Sequence, residues 1–375
     1  YPYAVDPKFD PLLQTVADAT GTFVPILRAD WVARFASQSP YYDILLDLTA
    51  DIRDIEERIG VDVDRDIRDL RMIRAGMLAG ASGVSDHNRM LERFELPRDG
   101  YYWKSYDFAG SHGEQSLELH PDGPAELAET PSGTAPFEHD GGEMVFSLRN
   151  GLQGYYLSTN KGERLLVGPA SIVSFRQKPI GKGVEVVNAR SCFDCHANGI
   201  IDKRDEVREA ISASTRFSRR ELEVLLEMYV DNDTLDEYYA KDRDAFLTTL
   251  QELNATSLTP GGRLTSLEAP MSVGGGEIVT YQADMHFHAL DLKQLARDFY
   301  MDEDEFLLNA KRMGDPVLTA VVTDWLSRME AGGKIQRSEL EEYYGVILER
   351  ISDLRPFRPE EAETVKKEPE AHAPG

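Results

Sequence analysis

Both cysteines of this 375-residue chain fall within one five-residue stretch, Cys192-Phe193-Asp194-Cys195-His196. Thiols three positions apart lie on one face of a helical turn, and the histidine that follows can swing beneath a planar group they hold. Cys-x-x-Cys-His is the attachment sequence for a c-type haem: each thiol adds to a porphyrin vinyl group and the histidine ligates iron. Three other readings compete. A thioredoxin-like redox pair calls for a βαβ context that the surrounding sequence lacks. A zinc site needs four ligands and, with no third cysteine, would draw on distant histidines. A plain buried cysteine pair asks nothing of His196. The haem reading accounts for all three residues. It predicts one covalently attached haem c, with Cys192, Cys195 and His196 binding the cofactor and His196 as the proximal iron ligand.

That expectation carries an address. Thioether attachment takes place outside the cytoplasm, and the chain begins at Tyr1 without a signal peptide, so a removed export signal and a periplasmic location are expected. With both cysteines committed, no disulfide is expected. The net charge of −25 repels nucleic acid and anionic membrane surfaces and steers basic partners toward the chain. Its longest apolar run, Pro316 to Leu326, is interrupted by Thr319, Thr323 and Asp324, so no membrane span is expected.

Periodicity points to an α+β chain with regions of different character. Residues 1–99 read as a helical N-terminal region, with apolar residues at helical spacing in Pro11 to Ala17 and Trp31 to Phe35. Asp62, Asp64 and Asp66 open like a calcium loop, but Ile67 and Ile73 stand where Gly and Glu belong, so that site is rejected. Residues 100–182 read as an antiparallel β meander. Its clearest pair alternates through Met144, Phe146 and Leu148 into the turn Asn150-Gly151. Leu117 to His120 and Ile172 to Phe175 are candidate strands there. Residues 183–256 read as a cytochrome-c-like helical haem domain, with the attachment helix stopping near Gly199 and a capping box at Ser218 and Glu221. Residues 257–355 form a helical C-terminal region after a Pro/Gly-rich loop and a short strand from Glu277 to His288. Residues 356–375, almost without apolar side chains, read as a disordered tail.

The iron's second axial ligand decides between carrier and catalyst, because Met or His there favours electron transfer and an open position favours oxygen or peroxide chemistry. The leading candidate is His139, in the glycine-bearing turn Phe137-Glu138-His139-Asp140-Gly141-Gly142-Glu143 before the hairpin. Met271, His87, His286 and His288 follow, with Met285 weaker and Met228 read as core packing.

Several blocks resemble segments of large exported bacterial monohaem c-type cytochromes. They are Gly83-Val84-Ser85 with Asn88-Arg89 and Glu92-Arg93, Tyr102 to Phe108, Gly141 to Tyr155, and Ser191 to Gly199. Together they span about residues 75 to 200. The resemblance implies a single-haem protein in which the β segment and the haem helix belong together, but it supplies no reaction. The expected function is electron transfer with a basic redox partner protein, as a subunit of a larger redox assembly. A peroxidase-type haem enzyme with an open distal site and a non-catalytic assembly subunit are the alternatives.

Overall fold

The computed structural model describes residues 11–22, 25, 28–78, 81–82, 87–108, 117–125, 127, 130–170, 185–254, 256–258, 264–266 and 277–352. Met271, His112, His372, the strand expected at Ile172 to Phe175 and the tail from residue 356 lie outside them.

Five short helices come first: α1 (Pro11–Thr20), α2 (Ala29–Ala36), α3 (Tyr41–Leu46), α4 (Ile52–Ile59) and α5 (Val63–Arg68). The carboxylates of Asp51 and Asp62 cap α4 and α5, accepting the amides of Arg53 at 2.9 Å and Arg65 at 3.1 Å. These bonds satisfy amide donors that a helix start leaves open.

A five-stranded antiparallel sheet follows in the order β1 (Met72–Met77), β2 (Arg89–Leu96), β3 (Gly100–Asp107), β4 (Gly141–Ser147) and β5 (Gln153–Thr159). The sheet begins at Met72, so two strands occupy a stretch expected to be helical as far as residue 99. β2 carries charges at Arg89 and Glu92. They are paired across the sheet rather than solvated, with Arg74 opposite Glu92 and Arg89 opposite Asp107. Leu117 to His120 forms turns rather than the expected strand. The β4–β5 hairpin turns through Asn150-Gly151, where Gly151 takes φ +81°, as the sequence predicts.

Alternation sends the two sides of the sheet into different cores. Met72, Met90, Phe94, Tyr102, Tyr106, Phe146 and Tyr156 pack with Ile52, Ile55 and Ile67 of α4 and α5. Ala75, Tyr101, Trp103, Val145 and Tyr155 pack on the other side with Cys192 of α6 (Arg190–Cys195). Three further helices follow, α7 (Val207–Ala213), α8 (Arg219–Met228) and α9 (Asn232–Asn254). Ser218 and Glu221 form the expected capping box at the start of α8. Trp103 stacks on Tyr239 of α9, centroids 4.9 Å apart, and donates to Asp242 at 2.7 Å. Asp242 also receives two bonds from buried Arg93, at 2.8 and 2.9 Å, which tie α9 to the sheet.

Glu277 to His288 contains a helix, α10 (Ile278–Met285), in place of the expected strand. The Glu277 carboxylate accepts the amides of Val279 at 2.8 Å and Thr280 at 3.2 Å, which starts the first turn. The later helices are α11 (Leu292–Asp298), α12 (Glu303–Lys311), α13 (Pro316–Glu330) and α14 (Arg337–Ile351). Breaks fall at Gly314-Asp315-Pro316 and Gly332-Gly333. One more falls near Tyr300, which turns the chain at φ +61°.

The described residues of 33–256 and 266–281 form one compact unit, and those of 1–32, 257–265 and 282–375 another. The second has its own core of Leu295, Phe299, Phe306, Trp325, Leu340 and Ile347. Its buried Arg337 bonds Asp298 at 2.7 Å and Asp30 at 3.3 Å. Among the described residues, no helix is long and apolar enough to cross a membrane.

Candidate cofactor site

The side of the sheet that carries Trp103 and Val145 forms one wall of a cavity of about 440 Å³. Met77, Arg89, Leu91, Ser105, Asp107, Glu143 and Leu157 line the same wall, and Cys192, Cys195, His196, Ile200 and Lys203 line the opposing one. The structure thus brings together the three residues of the Cys-x-x-Cys-His motif. That volume lies within the range of about 300–1,000 Å³ usual for sites holding a cofactor or small ligand.

The motif's intervening residues fix its position. Phe193 stands edge-on to Tyr155 at 5.0 Å and to Tyr42 at 6.0 Å, pinning α6 to β5. Asp194 pairs with Arg190 one turn earlier at 2.7 Å. Ser191 accepts the amide of Val187 at 2.9 Å, holding the approach to the helix. His196 caps the helix, and its ring lies 5.9 Å from that of Tyr155. Cys192 is 1% exposed and Cys195 half-buried, and no disulfide joins them. Burial raises the Cys192 thiol well above its ordinary pKa, and the neighbouring charge of Glu143 raises it further, so the thiol stays protonated.

His196 is held from behind. Its Nδ1 lies 3.2 Å from the carbonyl of Gly199, which only accepts, so Nδ1 carries the proton and Nε2 presents a lone pair. Gly199 takes φ +94°, the left-handed conformation that folds its carbonyl region back under the ring. Burial lowers the His196 pKa while Glu143 opposes it, and the balance favours the neutral ring that a metal ligand requires.

Nε2 faces Glu143 Oε1 at 3.9 Å. Arg89 anchors that carboxylate through Oε2 at 3.4 Å while bonding Asp107 at 2.6 and 3.1 Å. Burial raises the Asp107 pKa, with Arg89 opposing. Lys203 also faces the cavity, and desolvation, aided by the Arg89 charge, lowers its ammonium pKa.

The sequence reading singled out none of Met77, Arg89, Glu143 and Lys203 as site residues. A signal was available for Glu143, since Gly141, Glu143 and Val145 share a strand face. The position of that face became apparent only once β3 and β4 were paired.

His139, the expected distal ligand, does not line the cavity. Its ring packs edge-on against Tyr106 at 5.0 Å and Phe137 at 6.4 Å. His87 is not among the lining residues either, and Met228 is fully buried in the other core of the sheet. His286 belongs to the second compact unit, with Nδ1 3.2 Å from Glu341 and 3.8 Å from Asp30.

Desolvation lowers the His139 pKa to about 4, and the Lys104 charge contributes in the same direction. The folded pKa lies below the ordinary value of about 6.5, so the unfolded chain takes up the proton first. Stability associated with His139 is therefore full above about pH 6.5 and lost as the pH falls toward 4, by about 3 kcal/mol in all. Urea unfolding of the wild type and His139→Gln at pH 7 and pH 4.5 measures this. The variant should lose less stability between the two pH values; an equal loss would show that His139 carries no proton linkage.

No protein-family model, curated protein or solved structure matches this chain.

Proposed function

We propose that this chain is a periplasmic monohaem c-type cytochrome that transfers electrons, working with a basic partner inside a larger redox assembly. The observation that carries this reading is the meeting of Cys192, Cys195 and His196 at one cavity, with the His196 tautomer fixed by Gly199. Two thiols and a neutral imidazole with a free Nε2 lone pair are the donor set that a c-type haem takes. The backbone bond on Nδ1 is the outer-shell support that orients a metal-binding histidine. On this reading the stretch from α6 to α9 is a cytochrome-c-like helical haem segment laid on the sheet.

A bound haem supplies an iron that cycles between ferric and ferrous. The chain's own residues would attach, orient and insulate it. Cys192 and Cys195 would hold it through thioether bonds, each thiol S–H adding across a vinyl C=C to give C–S and C–H bonds with no change in electron count. Trp103, Val145, Leu91 and Leu157 offer an apolar wall, which lowers the local dielectric and limits access of water. Glu143 fills the space beyond His196 Nε2, which favours a carrier over a catalyst needing an open site. Ile201 of the cavity wall is 43% exposed and Leu166, beside lining residue Leu165, is 53% exposed, giving apolar surface where a partner can approach the cofactor. The net charge of −25 supports a basic partner.

Potentiometric titration of the exported protein tests the proposal, with the haem content per chain measured alongside. The expected outcome is one haem per chain, a reversible one-electron transition, and no sustained peroxide consumption with a reducing dye. Multiple turnovers of peroxide would replace the carrier with the enzyme alternative.

A further inference from the structure

We propose that Glu143 supplies the iron's second axial ligand through Oε1, opposite His196. This inference rests on the haem reading above. With Nδ1 donating to Gly199, His196 Nε2 carries a lone pair, and Glu143 Oε1 facing it carries others. Two acceptors at this distance gain nothing from each other, whereas an electropositive centre placed between them would bind both. Their separation of 3.9 Å is too long for a hydrogen bond. It is close to the sum of two metal bonds, about 2.0–2.1 Å to imidazole nitrogen and about 2.0–2.2 Å to carboxylate oxygen in zinc sites.

Both partners are held in place by the chain's own residues. Gly199 holds the imidazole, and Arg89 holds the other carboxylate oxygen while being held itself by Asp107. Arg89 and Asp107 are thus positioning residues. Glu143 also adjoins the Cys192 thiol, whose proton it attracts. With the thioether formed, Cys192 has no proton to offer that carboxylate. Met77, Lys203, Asp107, Asp194 and Tyr239 also line the cavity, and for none of them is a contact with Nε2 seen among the described residues.

An anionic oxygen donor favours ferric over ferrous iron, so the protein would be a low-potential carrier. It also blocks the sixth position against added ligands.

Imidazole titration of the ferric holoprotein, followed optically, tests this together with the reduction potential. Glu143→Ala is expected to bind imidazole at least about tenfold more tightly than wild type, since no carboxylate must be displaced. Added formate should restore weak binding in Glu143→Ala, which a merely structural role would not produce. Glu143→Gln should raise the reduction potential. If neither variant of Glu143 accumulates, electron paramagnetic resonance of the ferric wild type decides. A high-spin signal supports oxygen ligation, and a low-spin histidine–methionine or histidine–amine signal overturns it. Unchanged imidazole binding in a haem-bearing Glu143→Ala, or a site opened by Met77→Leu instead, overturns the ligand assignment alone. A wild type without covalent haem overturns the parent reading and this one with it.

Discussion

Chains carrying Cys192→Ala together with Cys195→Ala are expected to lose covalently bound haem completely. Haem staining of the denatured protein on a gel measures this, because denaturation strips any haem held only by ligation and packing. The two cysteines are the sole thiols in the sequence, so no other side chain can take over the thioether bonds. Either single variant leaves one thiol at the cavity, and a single thioether would hold a reduced amount of haem. His196→Ala should behave differently, since it spares both thiols while removing the nitrogen fixed by Gly199. Haem staining is expected to persist there, with an altered spectrum. Staining that survived in the double cysteine variant would remove the foundation of the proposed function.

Glu92→Leu should cost about 3–5 kcal/mol, a large share of the roughly 5–15 kcal/mol that stabilises a typical domain. Arg74 and Glu92 face each other across β1 and β2 at 2.6 Å, and both are 0% exposed. Glu92 also accepts the hydroxyl of Tyr106 at 2.6 Å. Removing the carboxylate strands a guanidinium in the interior, left with the carbonyls of Pro121 and Asp122 and the face of Tyr229. The cost is that of an unpaired buried charge, not the net worth of the pair. Adding Arg74→Met to Glu92→Leu should therefore recover most of the loss. Urea unfolding followed by circular dichroism tests both variants. A single-variant loss below about 1 kcal/mol would mean that water reaches Arg74 and screens it.

The same pair explains what the sequence concealed. The expected helical region runs through Arg89, Glu92 and Arg93, because nothing local in the sequence shows that partner strands will bury their charges. In the folded chain Arg74, Arg89, Glu92 and Arg93 are all buried, and their partners lie across the sheet or on α9. Local features were easier to read. Asn150-Gly151 signals its hairpin by the left-handed conformation it tolerates, and Ser218 with Glu221 signals a helix start. That Cys192, Cys195 and His196 would meet at one place was legible because they lie within five residues. Glu143 was not, since its relation to His196 exists only through the pairing of β3 with β4 and the docking of α6. His139 drew attention for its rigid turn, but rigidity alone did not bring it to the cavity.

The nearly complete enclosure of Cys192 has a bearing on biogenesis. A thiol that is 1% exposed and kept protonated by its surroundings is a poor nucleophile and is hard for an attachment enzyme to reach. On the proposed reading the thioether bonds must form while α6 is still undocked from β5, before Phe193 settles against Tyr155. Loading would then come first and closure second, with the finished fold acting as a one-way seal. A chain that folded empty would be a dead end, with its cysteine locked away from the cofactor.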